Sequence, residues 1–186
     1  FDRLVASNIP ASKIKMIYNG IDYEKWKPRK INKDPHSKFR FVYFGRSGIS
    51  KGLNLLIKAL GILGQQRDDF MLTLIIPKHP LTFYNMIVDI IKKHKAEPYI
   101  NIKSDLSAEA LKTEIQLADA AVIPSYSEGF CFTAVESIAL GTPVITSGQG
   151  ALKEVVSGKH LTMTEQNSKN LSHYMNEALD NNWNYI

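Results

Sequence analysis

The stretch Phe39-Arg40-Phe41-Val42-Tyr43-Phe44-Gly45-Arg46-Ser47-Gly48-Ile49-Ser50-Lys51-Gly52-Leu53 decides the fold. Its first six residues form a short, nearly continuous apolar run of the kind that becomes a strand buried on both faces. A glycine-rich turn follows. Leu53, Leu56, Ile57, Leu60 and Leu63 then recur at helical spacing and make one amphipathic stripe over residues 53–63. The same alternation continues outward from this unit. Strands are expected at 71–76, 99–102, 120–123 and 143–146, with a weaker one at 160–163. Helices are expected at 83–95, from an N-cap at Ser107 through Leu117, at 130–140, at 151–156 and at 171–179. Gly141 followed by Thr142-Pro143 closes the fourth of these six helices. Strand and helix alternating in this way predict an α/β domain, a doubly wound parallel sheet of about six strands with helices on both faces. Ligands in such sheets bind outside the carboxyl ends of the strands.

Upstream of this unit the character changes. Residues 14–18 alternate weakly into Asn19-Gly20, a turn signal, and 22–38 are polar and basic with Pro28 and Pro35. Residues 1–38 therefore read as hinge and connector, and 39–186 as the folded domain. The net charge of +5 is concentrated here: residues 1–40 hold ten Lys/Arg against four acids (+6), and the remainder 13 against 14 (−1). A solvated linker accounts for this charge; contact with an anionic membrane surface is the sharper alternative. Nucleic acid ranks behind both, since no recognition motif accompanies the charge.

At 186 residues, 44% hydrophobic and 22% charged, the chain suits one soluble globular domain. No apolar run approaches the roughly 20 residues that span a bilayer. Phe1-Asp2-Arg3-Leu4 is neither a signal peptide nor an initiator methionine, so the expectation is a piece cut from something longer. With Cys131 as its only cysteine the chain has no disulfide framework, and a reducing, cytoplasmic setting is the default. There is no internal repeat and no low-complexity segment.

Two loops could carry chemistry. The first, Gly45 to Gly52, fits neither the Walker pattern nor the G-x-G-x-x-G fingerprint. It does place Arg46 and Lys51 between a strand and a helix N-terminus, where helix dipole and side-chain charge together suit a diphosphate. Two solvated surface cations remain the plainer alternative. The second loop is Pro124-Ser125-Tyr126-Ser127-Glu128-Gly129-Phe130-Cys131-Phe132-Thr133-Ala134-Val135-Glu136. Gly129 would let a ligand approach the first amides of the next helix, and Glu128 sits at the mouth of the expected cleft. Glu136 is the only charged residue between 130 and 140, so the helix reads as buried and its carboxylate as needing partners, such as sugar or ribose hydroxyls. A narrow solvent stripe would explain it equally well. The five histidines show no metal-ligand spacing, and no G-x-S-x-G elbow is present. Glu128 and Glu136 could be mistaken for a glycosidase pair, but the parallel sheet and cationic loop suit a phosphorylated ligand better. Cys131 reads as a small core residue, with modest room for reactivity near a helix start.

Together these segments resemble the C-terminal, donor-binding domain of family-4 glycosyltransferases, whose GT-B architecture pairs two facing Rossmann-like domains. Asn19-Gly20-Ile21-Asp22 looks like the hinge, Gly45-Arg46 with Lys51-Gly52 like the diphosphate loop, and Glu128-Gly129-Phe130 through Glu136 like the Glu-x7-Glu motif. Gly141-Thr142-Pro143-Val144-Ile145 and Glu154-Val155-Val156 look like the strand and helix beyond it. The resemblance covers roughly 9–180. It implies a retaining hexosyltransferase using a nucleoside diphosphate sugar, without metal or other cofactor, in polysaccharide or glycolipid assembly. By it, Arg46 and Lys51 hold the diphosphate, Glu128 contacts the donor sugar and Glu136 the ribose. The amides after Gly129, through Phe130 and Cys131, help with sugar or phosphate, and Lys103-Ser104 lie beside the base. The acceptor-binding N-terminal domain would be a missing partner, and this piece alone is expected to be inactive. Two departures stand out: Pro77-Lys78-His79-Pro80 replaces the glycines usual after the second strand, and Cys131 replaces the glycine usual after Phe130. Competing expectations are another GT-B enzyme such as a nucleotide-sugar epimerase or glycogen-synthase-like protein, a non-catalytic nucleotide-sugar sensor, and a basic membrane- or nucleic-acid-binding module.

Overall fold

In the computed structural model, residues 2–15, 17–34 and 38–185 are described. Met16, in the weakly alternating stretch, and Pro35, in the connector, lie outside them. The described residues around Met16 form no strand. Helices α1 (Asp2–Ala6) and α2 (Tyr23–Trp26) precede the first strand. Then come β1 (Phe39–Phe44), α3 (Leu53–Leu63), β2 (Phe70–Ile75), α4 (Leu81–Lys93), β3 (Ile100–Lys103), α5 (Ala108–Leu117) and β4 (Ala120–Ile123). The second half adds α6 (Phe132–Ala139), β5 (Val144–Thr146), α7 (Leu152–Val155), β6 (Lys159–Thr162), α8 (Ser168–Leu179) and β7 (Asn184–Tyr185).

The doubly wound sheet is as expected, with one strand more. Its seven strands lie in the order β3-β2-β1-β4-β5-β6-β7. The first six pair in parallel, and the added β7 runs antiparallel along β6. The chain winds outward from β1 through β2 to β3, then returns to the other side of β1 and winds outward again. Right-handed crossovers require the covering helices to change face at that reversal. They do: Phe41 and Tyr43 of β1 join the core built with α3, α4 and α8, while Val42 and Phe44 join the core built with α5, α6 and α7. Phe41, Leu56, Leu60 and Phe70 are fully buried, each contributing about 1.5–3 kcal/mol of apolar burial. The reversal leaves a crevice between the carboxyl ends of β1 and β4.

Three local features refine the expectations. Helix α6 starts at Phe132 rather than at 130 because Cys131, its N-cap, has φ +71°, in the left-handed region that cannot continue a helix. Helix α8 starts at Ser168, earlier than its apolar stripe suggests, because the side chain of Asn167 accepts from Asn170 N at 2.9 Å. The connector is docked along α5. Trp26 is half-buried against the second core, with Lys112 Nζ 5.5 Å from its ring centroid, and the Arg29 carbonyl accepts from Gln116 Nε2 at 3.0 Å. Lys33 Nζ donates to the Ala118 carbonyl at 2.7 Å. Ion pairs join Lys25 to Asp22, Lys27 to Glu24, Arg29 to Glu109 and Lys33 to Asp119, so four of the cations in the basic segment have acidic partners.

Candidate functional site

Gly45 leaves β1 at φ +138°, a value that favours glycine, and turns the chain so that Arg46 stands exposed at the sheet's carboxyl edge. Tyr43 steadies this turn from below: its hydroxyl donates to the Arg46 carbonyl at 2.9 Å. Burial raises the Tyr43 phenol above its ordinary range, so it stays a protonated donor. The loop then makes a 3-10 turn over Ile49–Lys51 and reaches Gly52 at φ +69°. A Cβ there would lie 2.1 Å from the Pro124 carbonyl oxygen, so only glycine lets this loop close onto the loop after β4. Tyr126 N donates to the Ser50 carbonyl at 2.8 Å and completes that contact.

The loop after β4 is held from within. Ser125, 2% exposed, donates from its hydroxyl to Glu128 Oε1 at 2.6 Å. The Ser125 carbonyl accepts from Ser147 Oγ at 2.6 Å and from Gln166 Nε2 at 2.8 Å. The Glu128 carbonyl accepts from Ala151 N at 3.0 Å, packed so closely by Gly150 that a Cβ there would sit 2.3 Å away. Across the cleft, Lys51 Nζ reaches Glu128 Oε1 at 2.7 Å and Oε2 at 2.9 Å. Burial pushes the Glu128 carboxyl up, but the Lys51 ammonium and the Ser125 hydroxyl outweigh it, and the group ends below its ordinary value.

These loops enclose a cleft of about 370 Å³ lined by Gly45, Arg46, Lys51, Glu128, Phe130 and Cys131, six of the residues singled out from sequence. Gly129 lies in the exposed turn between Glu128 and Phe130, and beyond these two neighbours none of the described residues comes within 4 Å of where a Cβ would stand. Phe132 and Thr133, the first residues of α6, also line the cleft, and among the described residues no side chain caps the helix there. Uncapped first-turn amides beside two cations are donors suited to phosphate or sugar oxygens. Cys131 is buried, its Sγ 3.2 Å from Thr133 Oγ1, and burial raises the thiol above its ordinary range, which disfavours a reactive thiolate.

The structure does not bring every candidate to this cleft. Lys103 pairs with Glu114 of α5 at 2.5 Å and lines a separate cavity with Arg40, Met71, Thr73 and Asn101. Ser104 follows β3, two strands away from β1 at the sheet edge. Glu136 lies one turn into α6, outside the cleft lining. The expected burial of that helix is corrected: Phe132 is 49% exposed, and among the described residues only Ala134 and Ser137 within α6 are buried. Glu136 is half-buried, its carboxylate without a hydrogen-bond partner among the described residues, and burial raises its carboxyl above the ordinary value. Sequence reasoning assigned no role to Tyr43, Ser125 or Ser147; a buried hydroxyl at a strand exit has no signature that separates it from any other serine. Among the described residues no group of three or more His, Cys, Asp or Glu side chains could hold a metal ion, and no helix is long and apolar enough to cross a membrane.

The doubly wound parallel sheet, with its crevice at the topological switch point, defines the class of Rossmann-like α/β domains. Within that class, the family model of the glycosyl transferases group 1 matches residues 24–185, and the chain belongs to that family. Over 145 residues, 78% of its length, it is 32% identical to glycogen synthase of Mycobacterium tuberculosis, covering 34% of that protein. Over 140 residues, 74% of its length, it is 31% identical to MMP alpha-(1->4)-mannosyltransferase of Mycolicibacterium hassiacum, covering 32% of that protein. The chain thus spans about a third of the length of the curated relatives it matches. Among solved structures, Anabaena Alr3699/HepE in complex with UDP and glucose aligns at a TM-score of 0.77 and 20% identity, over 96% of this chain and 50% of that one. The C-terminal domain of the group 1 glycosyltransferase LpcC from Francisella tularensis aligns at 0.73 and 19% identity, over 87% of this chain and 88% of that one. The fold is therefore one half of the GT-B architecture.

Proposed function

We propose that this chain is the donor-binding half of a retaining glycosyltransferase, which transfers a hexosyl group from a nucleoside diphosphate sugar to a glycan or glycolipid acceptor held by a second domain. The observation that carries this proposal is the cleft at the switch point, with Gly45, Arg46 and Lys51 on one wall and Glu128 and Phe130 on the other. Arg46 makes no side-chain hydrogen bond or ion pair among the described residues, so its guanidinium is available to a diphosphate. As the bond from the anomeric carbon to the diphosphate oxygen breaks, negative charge grows on that oxygen. Arg46, Lys51 and the first amides of α6 are the groups that stabilise it. With that charge met by side chains and amides, the proposal assigns no metal ion to the transfer. Glu128 faces the sugar, and Glu136, whose carboxylate has no partner among the described residues, is assigned to the ribose hydroxyls. Alr3699/HepE, which shares the fold, is a UDP and UDP-glucose complex in crystals, which makes UDP the first nucleotide to try. A membrane surface forms no part of the proposal, because four cations of the basic segment are already paired.

The test is calorimetric titration, with thermal shift in parallel, of the chain with UDP, ADP and GDP. A half-site with a dissociation constant of ~1 mM would gain about 1.4 kcal/mol at 10 mM ligand. One nucleotide should bind, and Arg46→Ala should weaken it about tenfold or more while leaving the unfolding midpoint unchanged. Nucleotide binding that is indifferent to Arg46→Ala, or no binding at all, would sink the assignment.

A further inference from the structure

Glu128 is already engaged by the protein at both oxygens. Lys51 Nζ donates to Oε1 at 2.7 Å and Oε2 at 2.9 Å, and Ser125 Oγ donates to Oε1 at 2.6 Å. A carboxylate offers about four acceptor positions, so these contacts leave little room for sugar hydroxyls. The Cys131 thiol also stands against this carboxylate, and of the two closest partners Lys51 and Ser125 differ in freedom. Ser125 is 2% exposed, and its own carbonyl is gripped by Ser147 Oγ and Gln166 Nε2. Lys51 sits in a 3-10 turn with a side chain 21% exposed, three times the 7% of Glu128. Its four-carbon stem can swing where the serine cannot. The same ammonium lines the cleft beside Arg46, where a diphosphate of higher charge than a carboxylate would compete for it.

We propose that Lys51 is shared between Glu128 and the donor diphosphate: diphosphate binding draws the ammonium off Glu128, and the carboxylate, still aimed by Ser125, then accepts the sugar hydroxyls. This rests on the donor-site proposal above and adds to it a coupling between the two halves of the donor. A free nucleoside diphosphate must break the ion pair and leaves Glu128 short of a partner. A nucleotide sugar breaks the same pair and refills the freed acceptor positions with hydroxyl donors. Glu128 thereby weakens the leaving nucleotide relative to the intact donor. Ser125 is a positioning residue in this scheme, keeping the carboxylate aimed once Lys51 has left.

The experiment is calorimetric titration of the chain with three matched pairs, UDP and UDP-glucose, ADP and ADP-glucose, GDP and GDP-mannose. In Glu128→Gln, the free nucleoside diphosphate that binds should bind about tenfold more tightly than in wild type, because Lys51 is released in advance. The affinity ratio of nucleotide sugar to free nucleotide should fall by at least about tenfold. In a Lys51→Met background, Glu128→Gln should no longer tighten the free nucleotide, the non-additivity that marks a shared partner. Ser125→Ala should lower nucleotide-sugar affinity and leave free-nucleotide affinity equal or higher; a merely structural role would weaken both. If Glu128→Gln binds the free nucleotide no better than wild type while Arg46→Ala still weakens it, the coupling is overturned and the donor site stands. If neither wild type nor Glu128→Gln binds any of the three nucleotides, both are overturned.

Discussion

The loop that leaves β1 and the loop that leaves β4 close on one cleft, yet they are built on different principles. From Gly45 to Gly52 the chain carries one cation outward, Arg46, and reaches one, Lys51, across the cleft to Glu128. Arg46 is unpaired among the described residues, Ile49 is 86% exposed, and the fixed points are the Tyr43 hydroxyl beneath and Gly52 at the far end. From Pro124 to Cys131 the chain is bound inward, with Ser125 buried, its carbonyl doubly bonded by Ser147 and Gln166, and the Glu128 carbonyl taken by Ala151. One loop supplies adaptable cations and the other a rigid acceptor. That division suits a ligand whose diphosphate is flexible and highly charged and whose sugar must be read by direction. Preorganisation is most useful where hydrogen bonds are directional, and long-stemmed charge tolerates displacement.

The strongest way to break this arrangement is at the point where the loops touch. Gly52→Ala would place a Cβ 2.1 Å from the Pro124 carbonyl oxygen at a residue with φ +69°. A backbone carbonyl cannot turn aside as a side chain can, so the substitution should cost about 3 kcal/mol or more in urea unfolding. Gly129→Ala is the control, since nothing lies within 4 Å of its added Cβ, and it should change stability by less than about 0.5 kcal/mol. Equal, small effects from both would show that the loops do not lean on each other at Gly52.

The two carboxylates of the rigid loop and its helix should respond to pH with opposite signs. Glu128 is held below its ordinary value of 4.5, so its contribution is fully present above about that pH and is lost as pH falls through the lower, folded value. Glu136 is raised above 4.5 by burial, so the folded state bears a cost at neutral pH that is relieved as pH falls through the raised value. In urea unfolding at neutral pH, Glu128→Gln should therefore lose about 1–2 kcal/mol, a range discounted for the partial exposure of Lys51. Glu136→Gln should gain a few tenths of a kcal/mol up to about 1. Both differences should shrink on acidification. A Glu136→Gln variant that is less stable than wild type at pH 7 would mean the carboxylate has a partner in the protein after all.

Much of this was legible from sequence because short apolar runs and helical stripes are local signals. Strand β1, helix α3 and strand β4 stand where periodicity puts them, and the Ser107 cap accepts from Ala110 N as its position suggested. The cleft followed from topology, since a doubly wound sheet opens at its reversal and both glycine-bearing loops leave strands there. What the sequence could not convey was tertiary cover. An apolar helix such as α6 reads as buried, but a residue's own hydrophobicity does not say whether anything lies against it, and Phe132 is half exposed. The polar segment around Trp26 read as a free connector because its docking depends on Lys112, Gln116 and Asp119, some 80–90 positions away. Lys103 is expected from sequence just beyond the third strand, beside the base; the structure makes it the last residue of β3 with its ammonium turned to Glu114 on α5.

Cys131 offers the finest cut between the two loops, because it is where the rigid one carries backbone strain. Left-handed positions on the first loop are filled by glycine, whereas Cys131 holds φ +71° with a side chain 5% exposed. An L-residue in that region costs about 1–2 kcal/mol, so packing of the thiol against the second core must be offsetting the backbone. Cys131→Ala loses the thiol packing and keeps the strain; Cys131→Gly loses the thiol packing and the small burial of Cβ besides, and removes the strain. Relief of the strain should leave the glycine variant the more stable of the two by up to about 1 kcal/mol, after the lost Cβ burial and the extra freedom glycine gives the unfolded chain. Urea midpoints of the pair measure that difference without needing the absolute cost of either. If the alanine variant were equal or better, the left-handed turn before α6 would be a feature the chain can abandon, and the rigidity assigned to the second loop would end at Phe130.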